Sequence, residues 1–206
     1  MAASLRPDLA RIVAEIYLEE RNWYLVRKRI LTSNALQART TGSAIRMERE
    51  MRQRLRELTE SQLTLLANGT VEDSVSMSWV AVIKHVSFVF EFTLVVLEEK
   101  LAAHDPVLRP SDYESFFEGK TITHPELNAL TPSSRYKIRQ ILLRMLIEAG
   151  LLAQGEALGV IRRPALSQNA AIVIAADDSK WFTGFLVPAT EIENDYSHRR
   201  TARSSF

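Results

Sequence analysis

The chain has no cysteine. Disulfides, thiolate metal sites and a cysteine nucleophile are therefore excluded, which fits a reducing, cytoplasmic setting. Glycine and proline are scarce, seven of each in 206 residues, and that argues against a turn-rich all-β fold. Catalytic signatures are missing as well. No Gly-x-Ser-x-Gly occurs, and Gly119-Lys120-Thr121 only imitates the end of a phosphate-binding loop, because Glu114 stands where that motif needs glycine. His85, His104, His124 and His198 are scattered, with no pair at ligand spacing. The adjacent acids Glu19-Glu20, Glu98-Glu99 and Asp177-Asp178 point to different faces of a helix, a poor arrangement for acid–base chemistry. No catalytic residue, metal or cofactor is expected, so the chain does not read as an enzyme.

A long uninterrupted apolar run is lacking too. The stretch from Ser74 to Leu97 is the most apolar, yet Lys84, His85 and Glu91 interrupt it. A membrane span needs roughly 20 mostly apolar residues, and central charges there are costly. The stretch reads as one buried core helix, not a membrane segment. The opening residues, MAASLRPDLARIVAE, have no apolar core followed by a small-residue cleavage site, so no secretory leader is expected.

What the chain does have is segregated charge. From Arg21 to Arg56 there are ten bases and two acids, a net of 10 − 2 = +8 in a chain that nets +1. Residues 88–128 hold eight acids and three bases, 3 − 8 = −5. Such a molecule presents one surface to polyanions and another to something else.

Helix signals dominate. Pro7-Asp8 opens a helix to about Arg21, and Asn22 caps a second, Trp23 to Leu31. Ser33 or Asn34 starts a short third, and a long helix follows from Ala44 to Leu58 with Ser43 at its cap. Thr59 to Gln62 is a capping box for the next helix, and Thr70 opens the apolar one. Between 102 and 112 two prolines break the periodicity and mark a domain boundary. Beyond it, a capping box at Ser111 opens a helix to about Gly119. A short helix from His124 to Leu130 and a longer one from Arg135 to Ala149, stopped by Gly150, come next. Two short strands then flank a glycine-containing loop, ending in Arg162-Arg163. Residues 167–176 form a short helix or a strand. The expected fold is mainly α: a helical N-terminal lobe, 1–102, containing a helix-turn-helix, and a C-terminal winged helix-turn-helix lobe, 111–190, with a small β-hairpin. A polar tail, 191–206, is expected to be disordered.

In that arrangement the helix after Thr131 is the recognition helix. Ser133, Ser134, Arg135, Lys137, Arg139 and Gln140 face a nucleic acid, and Arg162 and Arg163 lie on the wing. In the first half Arg39, Ser43, Arg46, Arg49 and Arg56 repeat the logic. Both halves carry Asn-Ala-Leu in the middle helix, Asn34 to Leu36 and Asn128 to Leu130. The aromatic residues Trp79, Phe88, Phe90, Phe92, Trp181, Phe182 and Phe185 sit in apolar surroundings and read as core, not as base-stacking platforms.

The segments ERNWYLVRKRILTSNALQARTTGSAIRMEREMRQRLREL, TPSSRYKIRQILLRMLIEAGLLAQ and IRRPALS resemble the BrxA family of bacteriophage exclusion (BREX) defence systems, over about Ala10 to Val187. The resemblance implies a mostly helical, non-catalytic cytoplasmic protein that binds DNA and is encoded beside a DNA methyltransferase and other defence components; the form of DNA expected is double-stranded. It also implies an N-terminal part similar to an RNA-binding antitermination fold, so RNA is the alternative partner. An adaptor role through the acidic 88–128 surface is the remaining one.

Overall fold

Five helices fill the first half of the chain, and the first, third and fourth pack against the fifth. The computed structural model describes residues 4–192, so the tail expected at 191–206 lies almost wholly outside the described residues. Helix α1 (Pro7–Glu20) is followed by α2 (Trp23–Ser33), α3 (Thr41–Leu55), α4 (Glu60–Asn68) and α5 (Val71–His85). Asn22 caps α2, its side-chain oxygen accepting from the Tyr24 amide at 2.8 Å. The capping boxes Thr59–Gln62 and Thr70–Asp73 are both present. From Asp73 to Ile83, every residue of α5 except Val75 is buried. A helix apolar on all sides must be covered on all sides.

Three expectations fail here. The short helix after Ser33 is a turn. Asn34 takes the left-handed conformation (φ 48°) that ends α2. Its amide group bonds both the N–H and the C=O of Ala38, at 3.0 and 3.1 Å. Asparagine tolerates this conformation and closes such loops locally. Helix α3 then starts at Thr41 rather than Ala44, because Thr40 and not Ser43 is the cap, accepting from the Ser43 amide at 3.1 Å. The single core helix expected over 74–97 is also broken. Val86 is extended (φ −121°, ψ 90°), and the chain turns by 106° into a second helical run from Ser87 to Ala102. That run comprises α6 (Ser87–Phe92), a π-helical stretch (Thr93–Glu98) and α7 (Glu99–Ala102). Thr93 is buried and donates its hydroxyl to the Val89 carbonyl at 3.0 Å, a side-chain bond that competes with the backbone ladder where the turn widens. Among the described residues no single helix is long and apolar enough to cross a membrane.

The second half contains a strand the sequence did not announce. β1 (Val107–Leu108) lies inside the stretch expected as a linker. Next come α8 (Pro110–Thr123), a 3-10 turn (Pro125–Ala129), α9 (Pro132–Glu148), β2 (Leu152–Ala153) and β3 (Gly159–Ile161). The sheet is antiparallel, in the order β1-β3-β2, with Val107 opposite Val160 and Leu152 opposite Ile161. Gly159 is obligatory in the hairpin: its φ is 137°, and a Cβ there would lie 2.7 Å from the Ala153 carbonyl oxygen. α8 starts at Pro110, where the Asp112 carboxylate accepts from the Arg109 amide at 2.7 Å, and it runs four residues past the expected stop at Gly119. α9 starts at Pro132, because Thr131 is its cap, which puts Ser133 and Ser134 inside the first turn. The shared Asn-Ala-Leu therefore stands in a turn in one half and in a 3-10 segment in the other.

Helix α10 (Gln168–Asp177), a 3-10 segment (Ser179–Phe185) and α11 (Ala189–Glu191) are the last elements among the described residues. Residues 167–176, open between helix and strand in the sequence, are helical, with Ser167 as cap. This segment returns to the first helices. Trp79 donates its indole N–H to the Gly184 carbonyl at 2.8 Å. The Lys84 ammonium sits 2.6 Å from Asp177 and donates to Glu57 O (2.9 Å) and Gln62 Oε1 (3.0 Å). One buried apolar cluster extends from Leu5 to Ile192.

The Lys84 side chain is only 7% exposed. Asp177→Ala leaves that ammonium without its counter-ion and is expected to cost about 3 kcal/mol in urea unfolding. Replacing both partners by apolar residues, Lys84→Met with Asp177→Leu, should recover most of the loss; a double variant as weak as the single one contradicts this account.

Candidate nucleic-acid interface

Helix α3 separates its charges by face. Arg46, Arg49, Gln53 and Arg56 share one exposed stripe, while its two acids are turned away from it. Glu48 is fully buried, 2.5 Å from Arg52 and 3.8 Å from Arg27. Glu50 pairs with Arg54, which is buried and also donates to the Ser4 carbonyl at 2.9 Å. Burial pulls the Arg54 pKa down, and Glu50 partly offsets that. Arg21 pairs with Glu60, and Arg29 with Glu19 and Glu20. Five of the ten bases between Arg21 and Arg56 are thus held by carboxylates: Arg21, Arg27, Arg29, Arg52 and Arg54. Among the described residues Lys28, Arg39, Arg46 and Arg49 form no ion pair and are exposed. Arg56 rests 5.9 Å above the Trp23 ring, which stacks on Tyr17 at 4.2 Å. Ser43 is half-buried, its hydroxyl 3.0 Å from that of Thr40.

On α9 the structure redistributes the expected contacts. Leu142, Met145 and Leu146 are buried, and helical spacing puts Arg135, Ile138 and Arg139 on that same side. Arg135 lies 5.3 Å over the Phe117 ring and reaches the carbonyls of Leu127 and Asn128, both at 3.4 Å. Arg139 pairs with Glu114 at 2.8 Å and packs against the rings of Tyr113 and Tyr136, at 5.9 and 5.3 Å. These two arginines, expected to face outward, are turned toward α8 instead. The outward stripe is Ser133, Tyr136, Lys137, Gln140, Arg144 and Ile147. Tyr136 and Arg144 were not singled out from the sequence, although the same spacing, phased on Leu142, places them beside Lys137 and Gln140. Gln140 donates to the Tyr136 hydroxyl at 2.8 Å, and the hydroxyls of Ser133 and Ser134 each lie 3.0 Å from that of Thr131. Just past the hairpin, Arg162 is exposed without an ion pair among the described residues, its amide tied to the Leu151 carbonyl at 2.9 Å. Arg163 pairs with Glu191 at 3.3 Å.

Half of the acids in the acidic stretch are paired with a lysine or arginine, Asp112 among them at 3.0 Å from Lys100. Glu91 pairs with Lys120, Glu114 with Arg139, and Asp105 with Arg109 (2.5 Å) and Lys100 (2.8 Å). Arg109, then Lys100, holds the Asp105 carboxyl far below the usual carboxylate range. The expected core aromatics are buried or half-buried, with Trp79, Phe92 and Phe182 fully enclosed.

Helices packed around α5 with a small antiparallel sheet define a class of mainly helical protein with cationic helix faces, not yet a family. The family model for BrxA matches residues 3–178. The chain belongs to the BrxA family of BREX phage-defence systems. It is 25% identical over 142 residues to the BREX protein BrxA of Bacillus cereus (strain H3081.97), covering 69% of this chain and 71% of that one. The Escherichia coli O9:H4 (strain HS) BREX protein BrxA is 28% identical over 141 residues, covering 68% of this chain and 66% of its own. A crystal structure of an uncharacterized protein from Magnetospirillum magneticum superposes with a TM-score of 0.75 at 20% identity, covering 89% of this chain and 94% of that one. That likeness establishes the fold.

Glu48→Gln removes the buried carboxylate that balances Arg27 and Arg52. The expected loss is about 2 kcal/mol, or about 4–8 °C in Tm by calorimetry. An unchanged Tm means the two arginines do not depend on it.

Proposed function

We propose that the protein is a non-catalytic, double-stranded DNA-binding component of its defence system, gripping the backbone through the exposed bases of α3 and α9. The observation that carries this reading is the α3 stripe. A helix that buries or pairs both its acids and leaves Arg46 and Arg49 exposed and unpaired presents positive charge in a row, and phosphate is the complement of such a row. The stripe of α9 carries the exposed bases Lys137 and Arg144, the latter 4.0 Å from Glu148, adds Gln140, which can address a base edge, and is flanked by Arg162.

The second half reads as a winged helix-turn-helix once its first helix is placed earlier in the chain. The run 87–102 is then the first helix, β1 the first strand, α8 and α9 the helix pair, and β2–β3 the wing. The strand order β1-β3-β2 supports this assignment, and α9 is the recognition helix. The first half has no middle helix, so α2, the 34–40 turn and α3 make a two-helix unit. Binding is mainly electrostatic and weakly sequence-selective. Other components of the defence system are the expected protein partners, in the cytoplasm. RNA remains the second polyanion, favoured only by the α3 face.

Arg39, Arg46, Arg49, Lys137, Arg144 and Arg162 would supply about six phosphate contacts, so duplex affinity should fall about a thousandfold between 50 and 200 mM salt. Fluorescence anisotropy with duplex DNA, single-stranded DNA and hairpin RNA at matched salt tests this. Arg46→Glu with Arg49→Glu, and separately Lys137→Glu with Arg144→Glu, should each weaken duplex binding at least tenfold. Unchanged affinity in both rejects the assignment; tighter RNA than duplex binding moves it to RNA.

A further inference from the structure

Between α8 and α9 lies a cleft of about 220 Å3 lined by Tyr113, Glu114, Arg135, Tyr136 and Arg139, among others. Two polar atoms of residues that line it are buried without a hydrogen-bond partner, the Tyr113 hydroxyl and the Arg135 Nε. Tyr113 is only 2% exposed. Buried polar atoms are rarely left unpaired in folded proteins, so two beside one cleft call for an explanation. Both offer protons. Nε–H of a guanidinium can only donate, and burial, then the Glu114 charge, pushes the tyrosine pKa up to about 12, so its hydroxyl keeps its proton.

The groups around them are fixed. Arg135 is held by the Phe117 ring and two carbonyls, and Arg139 by two tyrosine rings. The one carboxylate on the cleft belongs to Glu114, which occupies Arg139 and has a side chain 54% exposed. Two waiting donors, two guanidiniums and a displaceable carboxylate suit a compact anion with several acceptor oxygens, and the volume suits a phosphoryl group rather than a whole nucleotide.

We propose that this cleft is a phosphoryl-oxyanion site. The Tyr113 hydroxyl and the Arg135 Nε–H donate to its oxygens, and Arg139 exchanges Glu114 for the incoming anion. The phosphoryl group comes either from the backbone of a duplex lying along α9, which rests on the DNA-binding reading above, or from free phosphate.

Tyr113→Phe is a clean probe, since the deleted oxygen has no partner to lose. Its Tm in phosphate-free buffer should equal or exceed that of the wild type, while affinity for the anion falls about five- to tenfold. Glu114→Gln should raise that affinity several-fold. Two titrations on the full chain separate the sources: inorganic phosphate by calorimetry, and duplex DNA by anisotropy. Tyr113-dependent binding of inorganic phosphate supports the site with free phosphate as its source, even if the wild type does not bind duplex and the DNA reading fails. A Tyr113 effect confined to duplex supports it with the backbone as source. If neither variant changes either titration, the site is overturned, and wild-type duplex binding that persists leaves the DNA reading standing.

Discussion

Everything in this fold follows from a helix that has no outward face. α5 is flanked by α1, α3 and α4 on the N-terminal side, and by α10 and the 179–185 segment on the other. The covering is apolar along most of its length, around Trp79 and Val80, and polar at its C-terminal end, where Lys84 is enclosed. An ammonium taken from water must find equivalent partners inside. Lys84 finds three, one of them on α10. That contact, the Trp79–Gly184 hydrogen bond, and the bonds from Ser167 to Asp73 and from Gln62 to the Val173 carbonyl tie residues 167–185 to the first helices. With the inner faces of α1, α3 and α4 committed to α5, their remaining faces are free to carry charge.

Charge segregation in this protein is a property of helix faces rather than of chain segments. The +8 stretch does not present ten bases to solvent, because Glu48 and Glu50 neutralise arginines on the inner side of α3. In the −5 stretch Glu91, Asp105, Asp112 and Glu114 are paired, but of their partners only Arg139 on α9 comes from outside the stretch, so it keeps most of its net negative charge. Exposed pairs such as Arg29–Glu19 contribute little to stability. The Glu48 and Arg54 clusters matter more because they are withdrawn from water, where a missing partner is costly. The surface left over is a set of basic rows on α3 and α9, and it is more selective in position than the composition suggested.

Local chemistry was legible in the sequence, and long-range geometry was not. Asn22, the Thr59–Gln62 box, the start of α5 at Thr70 and the Gly150 stop are each decided by neighbours within four residues, and each lies where the sequence put it. The break at Val86 carries neither glycine nor proline. Periodicity could not reveal it either, since a helix buried on every side has no phase to lose. β1 is two residues long between two prolines, and only its pairing with β3, some fifty residues on, makes it a strand. Arg135 and Arg139 illustrate a different failure. Their direction follows from the phase of Leu142 and Met145, which overrides the outward preference their charge suggests.

The inward turn of those two arginines changes what α9 can do. A side chain free in solvent must lose rotamer entropy to hold a phosphate, and an outward lysine or arginine has much to lose. Such residues are suited to long-range attraction and to a steep salt dependence. Arg135 and Arg139 are already ordered by rings and carbonyls, so an anion reaching them meets donors whose ordering was completed during folding. If both sets engage one ligand, the outer row governs encounter and the inner pair governs register. Position along the polyanion would then be decided at the α8–α9 cleft, where a carboxylate must give way, rather than on the exposed stripe.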